Sequence, residues 1–295
     1  MKQLAKTPFG RYNRFVMMSK NAGAPGSASE RGFILLFCLQ ALVPFFAGAA
    51  LFSFMNVAAW RLPRGQNPLD GRSACPACGH VLGAADLVPV LGWLALRGRC
   101  RYCGSPIPVR YLLVELVGGA LGVGCLQRFG PALTLAEGLF GLRWEGLLAL
   151  VWCGLLGAVT LIDADTMTIP DRLNALLAAA GLLGLLLHPG LWANRLLGAL
   201  CVSVPMLLLC LAIPGGFGGG DIKLMAAAGL FLGWQRTLLA GFLALVGGGA
   251  YGIWLLAARR AGRRDHFAFG PFLCAGLVIA LLFGEELLRW YFSFL

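Results

Sequence analysis

Residues 146–171 read GLLALVWCGLLGAVTLIDADTMTIPD. The stretch up to Ile162 is almost entirely apolar, and its length is close to the ~20 residues that a membrane-spanning helix needs. Asp163 follows it directly. A carboxylate at membrane depth is costly, so an acid in this position is a candidate functional residue. The stretch therefore predicts a membrane helix that carries an acidic side chain at one end.

The chain as a whole has the composition of a membrane protein. Of its 295 residues, 59% are hydrophobic and 13% are charged, whereas soluble domains carry about 25% charged residues. The mean hydropathy is +0.78. We therefore predict an all-α polytopic membrane protein with about eight transmembrane helices in a lipid bilayer. The apolar runs that define these helices are residues 33–59, 111–127, 146–162, 173–188, 196–213, 224–234, 237–258 and 267–288.

Charge sets the predicted topology. The net charge is +11, and most of it lies in loops between the apolar runs. Basic loops are retained in the cytoplasm, and only a crossing by the short run 224–234 places the arginine-rich loop 259–266 there. No basic stretch is interleaved with stacking aromatic side chains, so we predict no nucleic-acid partner. The other segments that this scheme places in the cytoplasm are residues 60–110, 163–172 and 214–223.

The chain divides into four parts on this scheme. Residues 1–32 form a basic N-terminal tail that we predict to be disordered, and the first transmembrane helix follows at residues 33–59. Residues 60–110 form a small cytoplasmic zinc-binding module between helices 1 and 2. Residues 111–290 form the rest of the transmembrane core. The scheme leaves the basic tail on the outer side, against the usual distribution of positive charge.

A second acid, Asp221, closes the motif Gly218-Gly-Gly-Asp221. On the predicted topology it lies on the same face as Asp163. Two carboxylates that share a site are sufficient for acid–base hydrolysis of a peptide bond. Taken alone, Asp221 could instead be the N-cap of the next helix, with the glycines as a connector. Gly218 and Gly220 belong to a glycine-rich stretch, residues 215–220, whose backbone could hold an extended substrate.

Other charged residues could support or replace this pair. Asp165 competes with the first aspartate as a catalytic candidate, while Asp171 precedes an apolar helix and is expected to cap it. Lys223 could favour the ionised form of Asp221 or extend to the membrane interface. Glu115, just inside the second span, could pair with a loop arginine or line the path of the substrate.

Four of the ten cysteines form two CxxC pairs in a polar loop, and the others, Cys274 among them, lie in apolar runs and are interpreted as buried hydrophobes. Two CxxC turns can close a tetrahedral Zn²⁺ shell with no open position, so we predict a structural zinc. Gly79 and Gly104 suit tight turns with positive φ, and His80 could replace a ligand. Redox pairs or disulfides are alternatives that a reducing cytoplasm and the absence of a thioredoxin-like pattern disfavour. The predicted ligands are Cys75, Cys78, Cys100 and Cys103.

The motifs match a known family in their order. Phe52-Ser-Phe-Met-Asn-Val57 and Trp60-Arg-Leu-Pro63 precede the two CxxC pairs, and Arg110-Tyr-Leu-Leu-Val-Glu115 follows them. Asp163-x5-Ile-Pro-Asp171 and Gly218-x-Gly-Asp-x-Lys223 complete the series. Over most of its length the chain therefore resembles the bifunctional type IV prepilin peptidases, which are membrane aspartyl proteases of the GxGD type.

The resemblance implies a substrate and a second activity. It implies cleavage of the leader of type IV prepilins or type II secretion pseudopilins at the cytoplasmic face of the bacterial inner membrane, with Asp163 and Asp221 as the catalytic pair. It also implies methylation of the new N-terminal amine, with S-adenosylmethionine as methyl donor. No glycine-rich βαβ fingerprint for this donor occurs in the sequence, so we predict no residues for its site.

Two other classes of function compete with this hypothesis. A transporter or channel would use the buried carboxylates as a proton or cation relay, but it gives no reason for a four-cysteine module. A non-catalytic membrane scaffold would use the zinc to dock a partner and the aspartates as helix caps. The hydrolase hypothesis requires the two acids to share a site, where like-charge repulsion keeps one of them protonated.

Overall fold

The computed structural model describes residues 28–129, 144–213, 218–258 and 267–294, with side chains from residue 41 onward. These residues form α-helices, three short 3₁₀ turns and two isolated β-bridges. Of the predicted tail and the predicted basic loop, residues 1–27 and 259–266 lie outside the described part. The helices are α1 (Ala28–Arg61), α2 (Leu91–Ala95), α3 (Val109–Phe129), α4 (Trp144–Thr166), α5 (Asp171–Leu187), α6 (Trp192–Cys201), α7 (Ser203–Ala212), α8 (Gly219–Leu232), α9 (Trp234–Ala257) and α10 (Gly270–Phe292).

Six helical segments in the described part are long and apolar enough to cross a membrane. The prediction of eight spans is not confirmed, because α5 has 17 residues and α8 has only 14. Both of these shorter helices are where the sequence predicts them, and they pack against each other. The predicted span 196–213 is interrupted at Val202, between α6 and α7. The six segments are Ala41–Arg64, Val109–Phe129, Trp144–Thr166, Pro189–Ala212, Trp234–Ala257 and Gly270–Phe292.

The helix bundle has two ends that differ in their polar contacts. At the aspartate end, named for the two acids of the predicted site, Arg110 at the start of α3 meets Asp165 at the end of α4. At the opposite, distal end, Arg236 at the start of α9 meets Glu285 near the end of α10. Helices α3 and α4 are therefore antiparallel, and so are α9 and α10.

Glycines allow the helices to approach each other closely. A Cβ on Gly48 of α1 would lie 2.1 Å from the carbonyl oxygen of Gly118 on α3, and one on Gly229 of α8 would lie 2.1 Å from the carbonyl oxygen of Gly198 on α6. No side chain fits at such distances. Lipid supplies no hydrophobic drive between helices, so close backbone contact takes its place.

Helix α4 is the most buried of the six long segments. It packs against α1, α3 and α10, and side chains such as Trp152 and Ile162 are fully enclosed. Asp163 follows Ile162 directly in the sequence. The apolar stretch that predicts the membrane helix is therefore also the centre of the bundle, and it carries Asp163 into a protein interior instead of lipid.

Candidate active site and metal site

The structure brings Asp163 and Asp221 together at one site. Asp163 lies in the last turn of α4 and Asp221 in the first turn of α8, and they are 5% and 9% exposed. The charge of Asp163 acts on Asp221, so the carboxylates lie within electrostatic reach of each other. Among the described residues no direct hydrogen bond joins them. Gly218 is the N-cap of α8, so the alternative role of Asp221 as the N-cap is wrong.

The start of α10 fixes the position of Asp163. The Gly270 backbone N–H donates a hydrogen bond of 2.9 Å to Asp163 Oδ2. One turn further along α10, Cys274 is buried within electrostatic reach of Asp163 and Asp221. The sequence correctly predicts that Cys274 is buried, but it does not predict that this cysteine lies near the two aspartates. No local signal marks Gly270, because 107 residues separate it from its partner.

Replacing Gly270 with alanine should disturb this alignment. A Cβ at position 270 would lie 2.6 Å from Asp163 Oδ2, so the carboxylate has to move. Misplacement of a reacting group by about 1 Å can cost roughly 10²-fold in rate, and we expect a loss of that size in Gly270→Ala. Gly249→Ala in α9 is the matched control, since a Cβ there meets nothing within 4 Å. Equal rates for the two variants would contradict the positioning role of Gly270.

Gly220 is required by space, and Gly218 lies close against the carboxylate of Asp221. The φ of Gly218 is −71°, which any residue can adopt. A Cβ on Gly218 would lie 3.1 Å from Asp221 Oδ2, and one on Gly220 would lie 2.9 Å from the Cβ of Ile169. The two aspartate motifs therefore pack directly against each other. Residues 215–217 of the glycine-rich stretch lie outside the described part, so its predicted contact with substrate stays a prediction.

Asn174 is a buried polar residue that the sequence motifs do not single out. Its Nδ2 donates a hydrogen bond of 3.4 Å to the carbonyl oxygen of Gly220, and its Oδ1 has no partner among the described residues. The only local signal for this residue is an amide inside an apolar helix, where an unsatisfied polar group is costly. Asn174 therefore supports the backbone before Asp221 and leaves one acceptor free beside the site.

Asp165, the third catalytic candidate, is paired with a cation. Two hydrogen bonds of 2.8 Å join its carboxylate to the Arg110 guanidinium. Its side chain is about half exposed, in contrast to the buried Asp163 two residues earlier. The structure therefore separates Asp165 from the buried pair and gives it a contact between α3 and α4.

Asp171 and Lys223 form an ion pair of 2.7 Å between α5 and α8. Lys223 thus contacts Asp171 and not Asp221. The expected capping role of Asp171 is wrong, because it is the first residue of α5, and Pro170 is the N-cap without a side-chain bond. Both charged side chains are exposed, so the pair contributes little to stability.

Glu115 connects α3 to the segment before it. The carboxylate is buried and accepts a hydrogen bond of 2.7 Å from the Val90 backbone N–H. Val90 has φ +63°, a conformation that is costly for a β-branched residue. The partner of Glu115 is therefore a backbone amide and not the arginine that the sequence suggested as one alternative. This bond fixes the chain leading to the second CxxC pair against a membrane helix.

Between α1 and α3, the two CxxC pairs form loops of the same shape. In each loop the backbone N–H of the first cysteine donates a hydrogen bond to the carbonyl oxygen five residues later. The N–H of the glycine that follows the second cysteine donates to the carbonyl oxygen of the first cysteine. All four bonds are 2.8–2.9 Å long. Each loop is closed by one antiparallel β-bridge. Gly79 and Gly104 have φ of +71° and +70°, which confirms the predicted positive values.

The four thiols are close enough to share one metal ion. The Sγ atoms of Cys75, Cys78, Cys100 and Cys103 all lie within 4.8 Å of one another. The Sγ atoms of Cys75 and Cys103 are 3.9 Å apart. Tetrahedral coordination with Zn–S bonds of about 2.3 Å would place the sulfurs about 3.8 Å apart. The four thiols are free rather than joined in disulfides, so the cluster could hold an ion of this size.

The thiol pKa values also favour a cation in the cluster. Backbone N–H groups of Cys78 and Ala77 lower the pKa of Cys75 to about 7. The backbone of Ser105 acts to lower the pKa of Cys103, but burial and hydrogen bonds with the other three thiols raise it to about 11. Four thiolates therefore need a bound cation to share the site at neutral pH. His80 is outside this cluster and stacks on Tyr102, with ring centroids 3.6 Å apart.

Two family models match the chain. Residues 46–129 match the bacterial peptidase A24 N-terminal domain, and this range covers α1 from residue 46 onward, the cysteine loops and α3. Residues 150–253 match the type IV leader peptidase family, which includes both aspartate motifs. None of the solved structures matches the chain with significance.

Curated proteins of similar sequence carry one name. A prepilin leader peptidase/N-methyltransferase of Aeromonas hydrophila is 39% identical over 233 residues, covering 77% of each chain. One of Burkholderia pseudomallei strain K96243 is 40% identical over 236 residues, covering 76% of this chain and 71% of its own. One of Bacillus subtilis strain 168 is 33% identical over 251 residues, covering 84% of this chain and 96% of its own.

Proposed function

This chain belongs to the type IV leader peptidase family, and on that premise we propose that Asp163 and Asp221 are the carboxylates with which it cleaves prepilin leaders. The chain is a prepilin peptidase with N-methyltransferase activity, and the transporter alternative is not favoured. The observation that supports the catalytic assignment is the burial of two carboxylates from separate motifs at one site.

The two carboxyl groups can act as the general base and the general acid of hydrolysis. Like-charge repulsion favours one ionised and one protonated carboxyl group, and their titration belongs to the pair. The ionised group takes a proton from a water molecule that attacks the scissile carbonyl carbon, while the protonated group donates a hydrogen bond to the carbonyl oxygen. A proton then passes to the leaving amine. The Gly270 N–H holds one oxygen of Asp163, so its other oxygen is the one available to the reactants.

Substrate and enzyme meet within the bilayer. The six long apolar helices and the prepilin peptidase relatives make the chain a multi-pass membrane protein. In the proposed orientation it lies in the bacterial inner membrane with the aspartate end facing the cytoplasm, because the basic loops are on that side. A type IV prepilin or type II secretion pseudopilin reaches the site by lateral diffusion of its apolar helix.

The methyl donor has no assigned residues. S-adenosylmethionine supplies the methyl group that is transferred to the amine exposed by cleavage. The described residues contain no βαβ unit with a glycine-rich turn, which is the familiar cradle for such a nucleotide-like group.

The four-cysteine cluster holds a structural zinc in this proposal. Four thiolates fill a tetrahedral shell, so the ion has no open position for chemistry. Its contribution is to fix the two loops relative to each other. Glu115, through its bond to Val90, then holds this module against α3, close to the membrane surface.

Reconstitution tests the function as a whole. The purified full-length chain is combined with a prepilin in lipid nanodiscs, and mass spectrometry follows leader release and the addition of one methyl group separately. We expect leader release without S-adenosylmethionine, and methylation only when it is added. A proton or cation flux without cleavage would instead support the transporter alternative.

A further inference from the structure

The distal end of the bundle contains a cavity that leader cleavage does not use. Its volume is about 140 Å³, and it is lined by residues from the distal parts of α3, α4, α5, α6, α8, α9 and α10. The length of α4 between Glu145 in the cavity and Asp163 is about 27 Å, at 1.5 Å per residue. The polar lining consists of Glu145, His188, Arg195 and Arg236.

Arg195 is the residue that points to a ligand. Its side chain is partly buried and passes through space left by Gly184, where a Cβ would lie 2.5 Å from Nη1. In the described part of the chain its one hydrogen bond is to the Gly181 carbonyl oxygen, at 3.4 Å, and no carboxylate pairs with it. A guanidinium has five N–H donors, and a partly buried charge without a partner is costly. Most of these donors are therefore available to an anion.

The charges around the cavity favour an anion. Glu145, the acid of the lining, pairs with His188 at 3.2 Å. Arg236, the second arginine of the lining, pairs with Glu285. The carboxylates of α10 at this end also bind two further arginines, so Arg195 is the one arginine of the lining without an acidic partner among the described residues. These carboxylates and further arginines are Glu285, Glu286, Arg128 and Arg289.

The cavity lies at the level of a membrane interface. Tryptophan and tyrosine side chains are enriched where the bilayer meets water, because they have an apolar body and a polar tip. Lipid headgroups lie at the same level. The exposed aromatic side chains of this kind at the distal end are Trp144, Trp192, Trp234, Trp290 and Tyr291.

We propose that this cavity binds the headgroup phosphate of an anionic phospholipid. The Arg195 guanidinium matches two phosphate oxygens at once, a geometry that arginine offers and lysine does not. Arg236 adds a second positive charge, and apolar side chains such as Phe129 and Leu281 are in place for the adjoining glycerol and acyl carbons. A bound lipid stabilises the folded chain in proportion to its affinity.

The test uses the full-length chain in a non-ionic detergent, with phosphatidylglycerol, phosphatidylcholine and inorganic phosphate as probes. Native mass spectrometry measures bound lipid, and thermal unfolding measures stabilisation. We expect phosphatidylglycerol to bind about tenfold more tightly than phosphatidylcholine. Arg195→Gln should weaken phosphatidylglycerol binding roughly 10- to 100-fold and leave leader cleavage in detergent unchanged.

Arg289→Gln is the matched control, because Arg289 is at the same end, is 69% exposed and does not line the cavity. Equal losses in Arg195→Gln and Arg289→Gln would indicate general surface charge and overturn the site. Stabilisation by inorganic phosphate to the same degree would indicate a free anion and overturn the lipid as occupant. If Arg195→Gln fails to fold, Arg195→Lys keeps the charge; wild-type affinity in that variant would overturn the bidentate contact.

Discussion

Asp163→Asn and Asp221→Asn are each expected to lower the rate of leader cleavage about 10⁴-fold or more, while the chain still inserts in the membrane. An amide can neither take a proton from water nor donate one to a leaving group, so each substitution removes half of the acid–base pair. The two substitutions conserve shape, and both positions are buried, so the packing of α4 and α8 is retained. Leader release by each variant is measured in the nanodisc assay.

Asp165→Asn is the control for this pair. Asp165 is two residues from Asp163 on the same helix, but it is about half exposed and bound to Arg110. Loss of this pair should cost at most about 1 kcal/mol of stability, because exposed ion pairs are weak. We expect cleavage to be retained. Cleavage that persists in either Asp163→Asn or Asp221→Asn, or is lost in Asp165→Asn, would refute the catalytic assignment.

Cys75→Ser and Cys100→Ser are expected to release the metal from the four-cysteine cluster. Each substitution removes one of four ligands, and structural zinc sites contribute about 10–16 kcal/mol of binding free energy at neutral pH. The loops should then become sensitive to limited proteolysis, because the ion no longer joins the two CxxC turns to each other. Zinc per chain is measured by inductively coupled plasma mass spectrometry, and cleavage and methylation are scored separately to show which activity depends on the module.

Cys201→Ser provides the comparison, because Cys201 is a free thiol outside the cluster, in α6. It should leave one zinc per chain and an unchanged proteolysis pattern. Full zinc content in Cys75→Ser and Cys100→Ser would show that the cluster is not the metal site. Loss of zinc without any change in the loops would contradict its structural role.

The sequence predicted the broad fold well and the details of the site less well. The long apolar runs became helices close to their predicted bounds, and the CxxC spacing predicted the thiol cluster, with its two glycines at positive φ. The number of spans was not confirmed, because α8 is too short to meet a length criterion. Length and hydropathy are properties of a single segment. They predict which segments enter a bilayer, but not how a short helix packs against its neighbouring helices.

The partners of the charged residues were the weakest predictions. Lys223 pairs with Asp171 instead of Asp221, and Glu115 binds the amide of Val90. On a predicted topology, Lys223 has several acids within reach, and Glu115 has several hydrogen-bond donors within reach. The choice among them depends on distances of a few ångströms, which are set by the way that the helices cross.

By itself, the sequence determined that this chain is a bundle of membrane helices, that four cysteines come together, and that two acids each lie at the end of an apolar segment. These features depend on local hydropathy and spacing. Only the tertiary structure decided that Gly270 holds Asp163, that Ile169 packs on Gly220, and that Arg195 has no acidic partner among the described residues of the distal end. The two contacts join residues far apart in the chain, so they depend on how the helices pack.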